Sequence, residues 1–386
     1  MRFFEFNQNN KQPLTEGARI EHLEDLVFRE LPPSKGANRA LQSLINMEKG
    51  GHTDVTVKWD GSPAVIFGRN DDGDFVFTDK SGFTAKGYDG KAKSADDVET
   101  MFKNRPGYAK NPEGYGVLID NMKGAYIAFE KATPKDYRGF FKGDMLYFNK
   151  PMAEGGDYVF KPNIVEYRVK QDSDLGKKIG ASTAGIVIHR EVSADGTEGP
   201  LQNGDIFEGD EVLVVPPVTV SNAPSIDDTS VKELKAIISK DAAAMDTLLD
   251  QNTLVQLKLK KLSEVFYSYM NSKVDTGLDN LGGDFLDWVQ ARNQLSDAAK
   301  KKIAEYIVNH QQGFNALWEV VAKIQQVKDD VITQLDNQPG AAVRQSMSSN
   351  DDSVDGGEGY VLAHPDGDIK LVPRKTFSKY NRAVER

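Results

Sequence analysis

The sequence predicts an α+β protein. An antiparallel, β-rich core is interrupted by a long helical segment and completed late in the chain. Three observations carry this. Residues 53–85 read as short strands, TDVTVKWD, PAVIFGR and DFVFTDK, separated by DGS and NDDGD turns. Residues 228–335 are almost free of strand signals and repeat their apolar residues at helical spacing. Strand character then returns in EGYVLAHPDGDIKLVPRKTF.

Taken in order, residues 1–50 form an N-terminal helical cap. HLEDLVF and ANRALQSLINMEK space apolar residues for helices, and Pro32-Pro33 breaks the chain between them. The cap is expected to pack on the first strands. Residues 51–222 form the first part of the core. Within it, residues 96–130 return to helix and then to strand, because AYIAFEKA is apolar on alternate positions. FFKGDMLYFNK, YVFKPNIVEYRV, AGIVIHREV and DIFEGDEVLVVPPVTV add further strands. Residues 223–340 form a helical insertion of five helices, the first opened by a capping-box pattern from Ser230 to Glu233. Its Phe266, Tyr267, Trp288 and Trp318 read as bundle core. Residues 341–386 are a flexible loop followed by completion of the core.

Composition narrows the class. With no cysteine in 386 residues, disulfides, thiolate zinc sites and cysteine nucleophiles are excluded. The five histidines lack metal-ligand spacing. A net charge of −10 argues against nonspecific coating of nucleic acid. Residues 369–386 nonetheless carry six basic residues against one acid, which is either a phosphate-facing patch or a solvated basic tail. No apolar run suits a signal peptide or reaches membrane-span length. The expectation is a cytoplasmic protein (host cytoplasm if the chain is viral) without a membrane partner.

The chemistry centres on Lys58-Trp59-Asp60-Gly61. The lysine ends a β-branched run, and the glycine permits a tight turn that a ligand can approach closely. An amine that attacks an α-phosphate must lose its proton, so burial or nearby positive charge must lower its pKa. Phosphate charge must be neutralised by a divalent cation and by Lys or Arg. The cation needs hard carboxylate oxygens, and the base needs an apolar or aromatic slot. The sequence offers each of these. Asp144 and Glu358 stand beside glycines at strand starts, and Lys370 sits in a late strand with Arg374 and Lys375 after it. Lys80, Ser81 and Lys86 lie in a Gly-, Lys- and Ser-rich stretch. Tyr158, Phe160, Tyr167 and Ile188 are candidate base contacts. Taken alone, Asp60-Gly61 reads first as a hairpin turn and Glu358-Gly359 as a loop end; the ordered set beside strands argues for a site.

KWDGSP resembles motif I, Lys-x-Asp-Gly, of the covalent nucleotidyltransferases: ATP-dependent DNA and RNA ligases and mRNA capping enzymes. DKSGF resembles motif Ia, GDMLYF motif III, EGYVL motif IV and DIKLVPR motif V, in the family's order. Motif IIIa is matched by AGIVIHREV around Ile188 and His189, with VEYRV as the alternative. The resemblance covers residues 53–214 and 357–382. It implies an ATP-grasp-like, antiparallel nucleotidyltransferase core. Lys58 would form a lysine–AMP adduct, Asp60 would contact the ribose or orient the lysine, and Lys370 would hold the α-phosphate. Trp59, Gly61, Lys80, Ser81, Ile188, Arg374 and Lys375 would bind the nucleotide. Asp144 and Glu358 would serve the ribose and Mg²⁺ or Mn²⁺.

Three positions depart from the family: Asp144 stands for the usual Glu, Lys80 for a common Arg, and Val372 for a second motif V lysine. Pro63 stands where DNA ligases and capping enzymes place arginine, and 16 residues follow Lys370, too few for an OB-fold. Both departures resemble phage-type RNA ligases. The expected function is an ATP-dependent polynucleotide ligase joining nucleic acid ends, RNA favoured over DNA. The alternatives are a DNA ligase or other nucleotidyltransferase, and a catalytically inactive ATP- or nucleic-acid-binding module in a larger assembly. The helical insertion is expected to bind nucleic acid or a protein partner.

Overall fold

The computed structural model describes residues 20–85, 90–105, 107–202, 204–273, 280–338, 343–348, 353–355, 357–364 and 366–374. Two short strands come first, β1 (Glu21–His22) and β2 (Val55–Val57). The hairpin of β3 (Ala64–Arg69) and β4 (Phe75–Asp79) follows, then the long β5 (Gly139–Tyr147). A meander runs through β6 (Met152–Glu154), β7 (Asp157–Phe160) and β8 (Val165–Lys170). Next are β9 (Ala184–Val192), β10 (Glu198–Pro200) and β11 (Val212–Val214). After the helices of residues 228–336 come β12 (Val343–Ser348), β13 (Ser353–Asp355), β14 (Tyr360–Leu362) and β15 (Ile369–Leu371).

These strands form three sheets in a mixed α+β architecture. One sheet has the order β1-β15-β14-β2, the second β10-β9-β5-β3-β4 with β11 on β9, and the third β13-β12-β8-β7-β6. Pairing is antiparallel throughout, as expected, except that β1 runs parallel to β15 and β11 parallel to β9. Two of the sheets join strands from before and after the helical stretch. β14 pairs with β2, and β12 with β8.

Period-two alternation in the four-stranded sheet decides what faces what. Val55, Tyr360, Leu362, Ile369 and Leu371 are buried against the helices. That leaves Thr56, Val361 and Lys370, which pair across the sheet, on the opposite face. The N-terminal helix Pro33–Glu48 shares this helical core, packing on the helices Asp228–Leu248 and Gln311–Asp336. Val55 of β2 joins the same core, so residues 23–47 pack on the helices as well as on the four-stranded sheet.

Three local readings differ from the structure. AYIAFEKA is the end of the helix Pro112–Ala132, not a strand. Its buried Ala125, Tyr126, Phe129 and Ala132 fall at helical spacing, and Ile127 points to solvent. The first helix of the later stretch is capped by Asp227, whose carboxylate accepts from the Ser230 N–H at 2.8 Å, so the cap precedes the Ser230–Glu233 pattern. The expected helix over TLVQLKLKKLSEVFYSYMNSK splits into Gln251–Gln256 and Leu262–Ser272, with Lys258 left-handed (φ 58°) between them.

A buried ionic cluster ties the N-terminal strand, the helices and the last described turn together. Glu24, Asp25, Lys328 and Arg374 are all almost fully buried. Lys328 Nζ donates to Glu24 Oε2 at 2.8 Å, and Arg374 pairs with Glu24 at 3.3 Å and with Asp25. Burial pushes the Asp25 carboxyl up to about 6 against the pull of Arg374. Burying one such charge without its partner is costly. Lys328→Met is therefore expected to destabilise the fold by about 3–5 kcal/mol in urea unfolding. A change within about 0.5 kcal/mol of wild type, the range of a neutral surface substitution, would show that the cluster holds nothing together.

Candidate active site

The Lys58–Pro63 turn is clamped by all three sheets. The Lys58 N–H donates to the Gly359 carbonyl at 2.9 Å, and the Val57 N–H to the Val218 carbonyl at 2.8 Å. Trp59 is buried, its ring 4.7 Å from that of Tyr167 and stacked at 6.2 Å on Phe160. The Asp60 N–H donates to the Tyr167 hydroxyl at 2.5 Å, and the Asn163 amide donates to the Asp60 carboxylate at 3.0 Å. Ser62 N–H donates to the Met145 carbonyl at 2.8 Å, and Met145 N–H returns a bond to the Pro63 carbonyl at 3.1 Å. Gly61 lies so close to β5 that an added Cβ would stand 2.6 Å from the Asp144 Cβ. The turn is thus fixed against Asp144 by close backbone approach.

Lys58 follows β2 by one residue, so its side chain shares a face with Thr56. The row Thr56, Val361, Lys370 and His22 crosses all four strands on that face. Lys58 and Lys370, over 300 residues apart in sequence, are therefore neighbours on one surface. Glu358, just before β14, is buried and ion-paired with the Lys58 ammonium. Its other oxygen, Oε2, is buried without a hydrogen-bond partner among the described residues.

Burial pushes the Lys58 amine down to about 8, and the Lys370 charge acts in the same direction. Asp60 and Asp144 act against them. Burial likewise raises the Asp60 carboxyl, opposed by Lys58. His22 is held well below the usual imidazole range, first by burial and then by Arg374, Lys328, Lys370 and Lys58.

Lys58, Trp59, Asp60, Asp144, Ile188 and His189 line one cleft of about 1000 Å³. Apolar residues from the 212–217 segment, whose β11 pairs with β9, also line it. His189 Nε2 lies 3.0 Å from Asp144 Oδ2. The cleft combines a depressed lysine, carboxylates and apolar lining, the ingredients of a small-molecule site. Hard oxygen donors suit a divalent cation that keeps few protein ligands and binds through phosphates. The unpartnered Glu358 Oε2 beside Lys58 fits such a cation. Among the described residues no group of three or more His, Asp or Glu forms a metal cage.

Comparison with known families matches residues 18–386 to a family of unknown function, DUF6267. The chain belongs to the DUF6267 family. No curated protein and no solved structure matches it.

Not every expected residue of this DUF6267 chain reaches the cleft. Arg374 does not: its guanidinium is buried and taken up by Glu24 and Asp25. This corrects its reading as a nucleotide contact. Ser81 is exposed in the short helix Lys80–Phe83 and does not line the cleft. Lys80 opens that helix, which Asp79 caps by accepting from Gly82 N–H at 2.8 Å. Lys86 and Lys375 lie outside the described residues. Phe160 and Tyr167 back the turn from inside a hydrophobic cluster rather than facing a ligand. The sequence left His189 without a role and hid the Tyr167 hydroxyl and Asn163. Their partners are on other strands, and no local spacing reports such a contact.

Amine acylation reports the neutral fraction of a lysine. Lys58 labelling, followed by mass spectrometry across pH, should rise with a midpoint near 8, whereas ordinary surface lysines titrate near 10.4. Removing the Lys370 charge in Lys370→Ala should move the Lys58 midpoint upward. A wild-type midpoint at the surface value would contradict the arrangement.

Proposed function

We propose that this DUF6267 chain is an ATP-dependent polynucleotide ligase that works through a lysine–AMP intermediate, with RNA ends favoured as substrate. On this reading the two β-rich parts form one nucleotidyltransferase core, and the helices of residues 228–336 are an insertion in it. One observation carries the reading. Lys58 and Lys370, far apart in sequence, share one face of one sheet, Glu358 is ion-paired with Lys58, and Lys58 lines a nucleotide-sized cleft. The preference for RNA rests on Pro63 in the KWDGSP pattern.

The neutral Lys58 amine attacks the α-phosphorus of ATP. A P–N bond forms, the P–O bond to pyrophosphate breaks, and the amine's second proton passes to solvent. A depressed pKa raises the neutral fraction near physiological pH. Lys370 meets the charge on the attacked phosphate, and Asp60, held by Asn163, meets the ribose or the lysine. Bound Mg²⁺ or Mn²⁺, held by Glu358 with Asp144 nearby, would neutralise phosphate charge. AMP then passes to a 5′-phosphate oxygen, releasing the lysine. Attack by a 3′-hydroxyl finally displaces AMP and forms the phosphodiester.

The first step is reversible and needs no nucleic acid. Labelled pyrophosphate should therefore be incorporated into ATP by the wild-type protein with Mg²⁺ or Mn²⁺. Lys58→Ala should abolish exchange, and Lys370→Ala should slow it by about 10²-fold or more, the scale for losing one preorganised charge contact. ATP binding without exchange would contradict the ligase and leave a binding module.

A further inference from the structure

A second feature of the cleft lies beyond Lys58. β9 pairs Ile188 with Gly143 but Arg190 with Lys142, so His189 is an extra residue in the ladder. Bulges of this kind re-aim side chains and increase local twist. Here, Val187, Ile188, His189 and Arg190 all line the cleft, which strict alternation would not allow. His189 reaches Asp144. Arg190 sits across from Lys142, whose ammonium is taken up by Glu198. Arg190 itself is partly buried and makes no side-chain ion pair or hydrogen bond among the described residues.

A partly buried guanidinium without a carboxylate loses hydration and gains nothing in return. Its planar fork matches a phosphate group bidentately. The Lys58 turn meets β5 at Asp144, and Arg190 stands opposite the residue two positions further along that strand. That is about 7 Å of strand beyond Asp144. The spacing is one phosphate or more from the point where Lys58 would engage an α-phosphate. We propose that the bulged end of β9 is a phosphate subsite anchored by Arg190, with His189 holding Asp144 at its border. The inference rests on the nucleotide reading of this cleft. The phosphate has two sources on that reading: the β- and γ-phosphates of ATP, or the 5′-phosphate of the polynucleotide end.

Equilibrium binding separates them without turnover, so it stands apart from the exchange assay. Wild-type protein, Arg190→Ala and Arg190→Lys are titrated with pyrophosphate, a 5′-phosphorylated oligoribonucleotide and the same oligonucleotide with a 5′-hydroxyl. The wild type should bind a phosphate-bearing probe, and Arg190→Ala should weaken it about ten- to a hundredfold, the scale of a lost charge-assisted hydrogen bond. Arg190→Lys should fall between. The hydroxyl oligonucleotide should be unaffected. Loss confined to pyrophosphate assigns the nucleotide's own phosphates, and loss confined to the phosphorylated oligonucleotide assigns the acceptor end. Equal binding of every probe by wild type and Arg190→Ala, or failure of the wild type to bind either phosphate probe, overturns the proposal. If exchange fails while Arg190-dependent phosphate binding persists, the ligase reading falls and the subsite stands.

Discussion

The pairing of β2 with β14 is the constraint on which the site depends. Val57 opposite Tyr360, with Lys58 bonded to Gly359, places the lysine directly against Glu358. The next pairing, β14 with β15, adds Lys370 on the same face. A shift of one residue in either register would turn Lys370 or Lys58 into the helical core. The apolar residues between them, Tyr360, Leu362, Ile369 and Leu371, are buried on the other side and pin that register. Hydrophobic alternation thus does the positioning, and the charged residues inherit it.

The helical stretch contributes to this same sheet. Its Lys328 joins Arg374, just after β15, through Glu24, two residues after β1. Both strands of that parallel pair are therefore anchored to the helix Gln311–Asp336 at one buried ionic point. The cost of burying four charges is offset only while all remain together. Anything that reorients the helices would be felt beneath Lys370 and His22.

Much of the element content was legible in the sequence. Alternating runs marked β3, β4, β5 and β9, and helical spacing marked residues 228–335 as helical, because each signal is local. AYIAFEKA misled because eight residues fit both periods; the buried partners that decided for helix lie on the β3-β4-β5 layer. For the site, KWDGSP, Gly143-Asp144, Glu358-Gly359 and Lys370 were visible as residue types beside glycines and strand ends. Arg374 was misplaced for a physical reason: a basic residue after a strand looks alike whether it faces phosphate or two buried carboxylates. The β9 bulge that presents His189 and Arg190 was invisible, since a bulge is a property of the pairing between strands.

The central claim is that Lys58 becomes covalently bonded to a nucleotide. The most direct measurement is tandem mass spectrometry of peptides from protein incubated with ATP and Mg²⁺. The account predicts an added AMP whose fragment ions place it on Lys58, in the sequence Val57-Lys58-Trp59. AMP on another lysine, or unmodified Lys58 in protein shown to bind ATP, would contradict it.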